Sequence, residues 1–142
     1  MTRIASLALV GLLAAVGQLT VLPQAAVAAD PSAAVDEIQQ IRDATWAGID
    51  AAVAEVAATL PGTATDAEAR TIRDTAKGTV DDLFWSADDA MALVVEAAGN
   101  DPAVEEAYDL AWFALKDHRL AAKSQITSLY EAWKFEYNAP PA

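Results

Sequence analysis

The stretch Gly99-Asn100-Asp101-Pro102 separates two long segments that contain no proline, and Leu60-Pro61-Gly62-Thr63 separates the first of them from a similar preceding segment. Glycine after one segment, followed by aspartate and proline before the next, is a stop and start signal of helices rather than a strand turn. The two breaks therefore predict three long helices joined by short loops.

Capping residues set the predicted ends of these helices. Asp30 and Asp101 each precede a proline, an order typical of an N-cap followed by the first helical position, and Thr65 has a glutamate three residues later. Gly99 occupies the place where a helix commonly ends in a left-handed residue. The predicted helices cover about 31–59, 66–98 and 102–137.

The apolar residues recur three and four positions apart, so each helix is predicted to carry one apolar line. The predicted core lines comprise Ile38, Ile41, Thr45, Ile49, Ala52, Val56 and Leu60; Ile72, Ala76, Val80, Leu83, Ala87, Met91 and Val94; and Tyr108, Ala111, Leu115, Ala122, Ile126, Leu129 and Trp133. Three such helices with short loops predict an all-α fold, an elongated up-down-up three-helix bundle with a coiled-coil-like seam.

The N-terminal residues 1–28 have the pattern of an export signal. Arg3 precedes an apolar run, and Ala26-Val27-Ala28 supplies the small residues typical of a cleavage site. We expect a mature chain at 29–142 that is secreted, or retained in the periplasm or cell envelope. An uncleaved membrane anchor is the alternative, because the apolar run is nearly long enough to span a bilayer.

Composition limits the kinds of site that the chain can hold. The formal net charge is −12, and it becomes −13 when Arg3 leaves with the signal. Such a surface repels nucleic acid and favours cationic ligands or basic partners. The chain has no cysteine and one histidine, which excludes disulfides, thiolate metal sites and histidine-rich metal centres. We predict one acidic domain without a cofactor.

Trp85 is the strongest candidate for a ligand-binding residue. It lies roughly opposite the predicted core line of the second helix, so the indole should face solvent. Its helical neighbours three and four positions away are Asp81, Asp82, Asp88 and Asp89. An indole surrounded by carboxylates suits an organic or peptide cation, with calcium as a second candidate. The alternative is a solvated acidic face whose tryptophan packs on a neighbour.

His118 carries a second hypothesis, a haem-like small-molecule carrier. It lies at the edge of the third helix's core line, and Trp46, Trp112 and Tyr108 are the candidate walls of a pocket. The alternative is a structural histidine in a helix seam, hydrogen-bonded to Thr45 or to an acidic neighbour. No metal identity follows from the sequence.

Three arginines carry a third hypothesis, an exported helical enzyme that acts on an anionic substrate. Arg42, Arg73 and Arg119 each flank a core line and would together clamp a carboxylate or phosphate. In bundles such arginines usually pair with acids across a seam, and no catalytic residue is otherwise predicted.

The third helix also carries apolar residues away from its core line, namely Leu110, Phe113, Leu120 and Phe135. They predict a fourth helix, a second copy or an apolar ligand, unless they are isolated surface residues. The function best supported by the sequence is an exported, acidic, non-enzymatic helical-bundle binding protein that engages a cationic ligand or basic partner. Self-association through the third helix is one of the options that its surplus apolar residues leave open.

Overall fold

The computed structural model describes residues 30–138, and within them the chain is helical without strands. The elements are α1 (Pro31–Thr59), a short 3-10 turn (Leu60–Gly62), α2 (Asp66–Ala97) and α3 (Pro102–Tyr137). The three helices pack against one another, so the prediction of an all-helical bundle is confirmed. The signal predicted at 1–28 lies outside the described residues. None of the helices from 30 to 138 has the length and apolarity to cross a membrane.

Side-chain caps begin all three helices. The side chains of Asp30, Thr65 and Asp101 each accept a hydrogen bond from a backbone N–H two or three residues later, at 3.1, 3.2 and 2.9 Å. Each cap satisfies one of the N–H groups that the first turn of a helix leaves without a partner. The caps predicted from the sequence are therefore confirmed.

The α2–α3 turn needs two left-handed residues. Gly99 has φ +70° as predicted, and Asn100 follows with φ 58°. Their backbone N–H groups donate to the carbonyl oxygens of Glu96 and Val95 at 3.0 and 3.1 Å. Glycine and asparagine are the residues that enter this region at least cost, so the chain reverses within a few residues.

Side-chain contacts give the directions of the helices. Tyr108 bonds Asp88, Arg119 bonds Asp81 and Tyr130 bonds Asp66. As the α3 partner moves from residue 108 to 130, its α2 partner moves back from residue 88 to 66. The two helices are therefore antiparallel. The α1 helix is parallel to α3, because its first half shares a core cluster with the first half of α3 and its second half with the second.

The core consists of two clusters along the bundle. The cluster next to the 3-10 turn comprises Ile49, Ala52, Val53, Val56, Leu60, Ala69, Val80, Ala122, Ile126 and Tyr130. The cluster next to the α2–α3 turn comprises Ala34, Ile38, Ile41, Phe84, Ala87, Met91, Val104, Ala111 and Leu115. Burial of each large apolar side chain contributes about 1.5–3 kcal/mol, so these clusters supply most of the stability of the fold.

Two of the largest core residues were absent from the predicted lines. Phe84 and Tyr130 are 1% and 2% exposed, whereas their predicted neighbours Leu83 and Leu129 are half-buried. A helix in a three-helix bundle packs against two partners, so its buried face is broader than one line of residues. The larger ring takes the central position, and the Tyr130 hydroxyl reaches the rim, where it donates to Asp66 at 2.7 Å.

The α1–α2 seam closes around a glycine. A Cβ atom on Gly48 would lie 3.3 Å from Leu83 Cδ1, which is a tight contact. The missing side chain therefore lets α1 and α2 approach each other at this level, between Trp46 and Asp50 of α1.

Candidate functional site

Trp85 faces solvent, as predicted, with 51% of the residue exposed. The indole meets the edge of the buried Phe84 ring, with the centroids 5.0 Å apart. On the α3 side, the guanidinium carbon of Arg119 lies 5.5 Å from the Trp85 ring centroid and 4.9 Å from that of Phe84. A cation already lies within cation–π range of this indole, and it belongs to the same chain.

Asp81 holds that cation in place. Its two carboxylate oxygens accept hydrogen bonds from Arg119 Nε and Lys123 Nζ, both at 2.6 Å, and only 30% of its side chain is exposed. Burial raises the pKa of Asp81, but the hydrogen bonds from Lys123 and Arg119 outweigh burial and leave the pKa below its ordinary value of 3.8. Asp81 is therefore a cross-helix anchor between α2 and α3.

Asp88 is also engaged by α3. The Tyr108 hydroxyl donates to Asp88 Oδ1 at 2.5 Å. This bond, together with burial and the charges of Asp88 and Asp109, raises the pKa of Tyr108 to about 12. Of the four predicted aspartates, Asp81 and Asp88 thus form hydrogen bonds to α3, whereas Asp82 and Asp89 are exposed.

No carboxylate cluster suited to calcium is formed in the described part of the chain. Among residues 30–138, no group of three or more histidine, aspartate or glutamate side chains is arranged to hold a metal ion. Aspartates three and four positions apart on a straight helix diverge, whereas calcium needs six to eight converging oxygens.

His118 lies in the α1–α3 seam with 16% of its side chain exposed. Its ring stacks on Trp46 with the centroids 3.8 Å apart and the planes at 10°. His118 Nε2 is 2.9 Å from Asp50 Oδ1, but the carboxylate lies off the direction needed for a hydrogen bond, so the two groups are in close contact without one. The acidic neighbour is therefore Asp50, while the Thr45 hydroxyl donates to the Ile41 carbonyl at 2.8 Å.

The predicted pocket walls of the haem-like carrier are not assembled around His118. Trp46 is beside it, but Trp112 packs on Phe84 at 5.8 Å between centroids, and Tyr108 bonds α2. An iron atom at His118 Nε2 would have to displace Asp50 from its present place. The arrangement suits a stacked histidine that joins α1 to α3.

The three arginines do not converge on one groove. Arg42 bonds Asp43 at 2.9 Å, Arg73 bonds Asp74 at 2.7 Å and Arg119 bonds Asp81 at 2.6 Å. Arg73 lies over the Tyr130 ring, with its guanidinium carbon 4.5 Å from the centroid. Tyr130 is eleven residues along α3 from Arg119, or about 16 Å at 1.5 Å per residue. Each arginine therefore neutralises a carboxylate at its own place.

The off-core apolar residues of α3 are strongly exposed. Leu110, Phe113, Leu120 and Phe135 are 67%, 58%, 55% and 80% exposed. At 100° per residue they lie on one side of α3, roughly opposite the buried line. Isolated exposed leucines are ordinary, but four large apolar side chains on one side of a helix are typical of a contact surface.

Acidic and basic residues occupy different sides of α3, a feature that the sequence analysis above does not predict. All six acidic residues of α3 are exposed, whereas its four basic residues are half-buried. The basic side chains are Lys116 over Trp112, Arg119 and Lys123 on Asp81, and Lys134 over Tyr130. The spacing of Lys116, Arg119 and Lys123 puts them on one helix side, and this signal was available from the sequence.

A scan against protein-family models and searches of curated proteins and of solved structures return no match for this chain. Functional inference therefore depends on the geometry and chemistry of the described residues.

Proposed function

We propose that this chain is an exported, non-enzymatic interaction protein, an acidic helical bundle of the cell envelope or extracellular space that binds a basic partner. The observation that carries the proposal is the sorting of charge. Most acidic side chains are exposed, while every basic side chain between residues 30 and 138 except Arg70 is half-buried. All of these half-buried bases except Lys77 lie against an aromatic ring or a carboxylate of the chain itself. The surface therefore offers mainly negative charge to a partner.

This distribution favours a positively charged partner more strongly than the net charge alone. Exposed carboxylates set a long-range field that raises the rate of encounter with a cationic molecule. Half-buried bases form ion pairs within the chain, such as those of Arg119 and Lys123 with Asp81. A partner therefore meets carboxylates with little competition from nearby lysines and arginines.

The exposed apolar side chains favour a protein partner over a small cation. Protein interfaces combine apolar contact area with charge, and aromatic residues contribute much of their binding energy. The Trp85 indole already has Arg119 on one side, so a small cation would compete with a tethered guanidinium. The free part of Trp85, with Asp82 and Asp89, is proposed as a secondary contact for a basic partner.

Binding of a cationic peptide tests this proposal. Octalysine, labelled with a fluorophore, should bind the full chain at low salt and weaken as salt screens the charges. The double variants Glu106→Gln/Asp117→Asn on α3 and Asp36→Asn/Glu37→Gln on α1 each remove two exposed carboxylates and should weaken binding. No binding of octalysine at low salt, or no preference for octalysine over octaglutamate, would contradict the proposal.

Export is tested by the mass of the mature product. When the full chain is produced in a bacterial host, we expect the protein outside the cytoplasm to begin at Ala29. A product that keeps residues 1–28 in the membrane fraction would support the anchor instead, and a full-length protein in the cytoplasm would contradict export.

A further inference from the structure

We propose that the outward side of α3 binds a basic amphipathic helix of a partner protein. This surface, the α3 outer stripe, consists of seven exposed residues: Glu106, Leu110, Phe113, Asp117, Leu120, Glu131 and Phe135. The proposal depends on the function proposed above, and it specifies where on the bundle the basic partner binds and which shape and chemistry that partner has.

The spacing of the α3 outer stripe sets its shape. Successive members from Glu106 to Leu120 are four, three, four and three residues apart, so they follow one line along the helix. On the same side, the exposed serines Ser124 and Ser128 follow Leu120, and Glu131 and Phe135 end the stripe 29 residues from its start, about 44 Å at 1.5 Å per residue. Such a line is straight and narrow, and it matches the apolar line that another helix presents at the same spacing.

The sides of α3 explain why this stripe is free for a partner. The buried line of α3, which includes Ala111, Leu115 and Ala122, faces the other two helices and is 0–3% exposed. The outer stripe lies roughly opposite, where neither α1 nor α2 reaches. A helix that must bury only one side normally carries polar residues on the other. Large apolar residues there indicate a second contact.

Charge complementarity indicates that the occupant is basic. The carboxylates of Glu106, Asp117 and Glu131 lie within the stripe, and those of Asp109 and Glu105 border it; all are exposed. Arg119, Lys123 and Lys134 lie against α2 or against Tyr130 of the core. Lys116 borders the stripe, with its Nζ 5.1 Å from the Trp112 centroid and 6.0 Å from that of Phe113, so one base faces five exposed carboxylates. A helix with lysine or arginine beside its apolar line would place cations against the acids and apolar side chains against Phe113 and Leu120.

The same charges disfavour a second copy as the occupant. Two copies that met through this stripe would bring the exposed carboxylates of both together. The nearest base, Lys116, is half-buried and has its Nζ 5.1 Å from the Trp112 ring centroid. Like charges across an interface oppose association, and they are one means by which proteins exclude wrong partners.

A designed peptide tests the stripe. The probe is a labelled peptide of leucine and lysine, about 18 residues or five helical turns long, with leucines three and four apart. One comparison peptide has the same composition with the leucines spread around the helix, and another is oligolysine of the same charge. We expect the amphipathic peptide to bind the full chain at least about tenfold more tightly than either, as detected by fluorescence anisotropy.

Two variants at similarly exposed apolar positions, a double variant on α3 and a single variant on α2, locate the binding. Phe113→Ser/Leu120→Ser should weaken binding of the amphipathic peptide about tenfold or more, whereas Leu93→Ser, at an equally exposed leucine on α2, should change it less than about twofold. All three substituted residues are exposed, so the variants should keep the helical circular dichroism and melting temperature of the parent. Equal weakening by both variants, or by neither, would overturn the proposed location.

The outcomes separate this inference from the proposed function. If the amphipathic peptide binds no better than oligolysine but both bind, the helical partner is wrong and the basic partner stands. If no cationic peptide binds, both proposals fail. If sedimentation equilibrium gives a dimer that Phe113→Ser/Leu120→Ser dissociates, the stripe is occupied by a second copy and the inference is wrong.

Discussion

Two adjacent residues of α3, His118 and Arg119, occupy different seams of the bundle and have similar surroundings. Each covers an indole and approaches a carboxylate: Trp46 and Asp50 for His118, Trp85 and Asp81 for Arg119. In both cases the tryptophan and the aspartate are four residues apart on one helix. Their order is reversed between the two helices because α1 is parallel to α3 and α2 is antiparallel to it.

The two seams differ in what holds them together. Asp81 is 30% exposed and accepts two directed hydrogen bonds at 2.6 Å, whereas the Asp50 side chain is 59% exposed and meets His118 off the hydrogen-bond direction. The α1–α3 seam has instead a close, nearly parallel ring stack. Charge therefore joins α2 to α3 at this level, and stacking joins α1 to α3.

The largest effect is expected from Asp81→Asn. The substitution leaves Arg119 and Lys123 half-buried without their carboxylate, and charged hydrogen bonds of this kind contribute about 1.5–3 kcal/mol, so we expect a loss of about 2 kcal/mol in urea unfolding. The neighbouring Asp82→Asn is the control and should change stability by less than about 0.5 kcal/mol. Similar losses for the two variants would show that Asp81 is no anchor.

Acid should weaken the same seam. Because the pKa of Asp81 is lowered in the folded protein, its contribution is complete above its ordinary pKa of 3.8 and is lost as pH falls through the lowered value. The stability difference between the parent and Asp81→Asn should therefore shrink below about pH 3.8, as measured by urea unfolding across pH. A difference that is constant with pH would contradict the ion pairs.

Trp46→Ala should have the next largest effect. It removes a ring stacked at 3.8 Å on His118, and aromatic pairs contribute about 0.5–1.5 kcal/mol beyond their burial. Trp85→Ala should cost less, because Arg119 remains bound to Asp81 when the indole is removed. Thermal unfolding of the two variants compares the seams directly, and a larger loss for Trp85→Ala would reverse the assignment of stacking and charge.

Tyr108→Phe tests the α2–α3 seam at high pH. The lost hydrogen bond to Asp88 should cost about 1 kcal/mol at neutral pH. Since the pKa of Tyr108 is raised from 10 to about 12, the contribution of this bond is complete below pH 10 and disappears as pH rises through about 12. Ultraviolet titration should find Tyr108 ionising near pH 12 in the parent and at a lower pH in Asp88→Asn, where burial and Asp109 are the causes that remain. An unshifted titration in the parent would contradict the bond.

The smallest effect is expected at the third seam, between α1 and α2. Gly78→Ala, in open space on α2, should stabilise the protein by about 1 kcal/mol because alanine favours helix over glycine. Gly48→Ala should stabilise the protein less, because its Cβ would lie only 3.3 Å from Leu83 Cδ1. Equal gains in chemical unfolding would mean that the α1–α2 approach does not depend on Gly48.

The sequence predicts the helices and their ends well because those signals are local. A cap such as Asp30 or Thr65 acts on residues two or three positions away, and Gly99 acts on its own backbone. The outward direction of Trp85 follows in the same way from the apolar spacing. The sequence also places Trp46 next to His118, because the short loops fix the level at which the helices meet.

The side-chain contacts between helices could not be predicted from such local signals. The sequence assigns Asp81 to an external cation because it lies four residues from Trp85 on α2, whereas the cations that bind it, Arg119 and Lys123, lie 38 and 42 residues away along the chain. Tyr130 was missed in the core because apolar spacing favours Leu129, whereas the bond to Asp66 depends on where α2 begins. Such contacts depend on the rotation of each helix about its axis, and a single apolar line fixes that rotation only coarsely.

We propose above that the outward side of α3, where large apolar residues are exposed and carboxylates outnumber bases, receives a basic helix. The most direct test is nuclear magnetic resonance of the isotope-labelled full chain, titrated with the amphipathic leucine–lysine peptide. We expect the largest amide shifts on α3, between Glu106 and Phe135. Largest shifts around Trp85 on α2, or shifts spread evenly over the acidic faces of all three helices, would contradict the proposal.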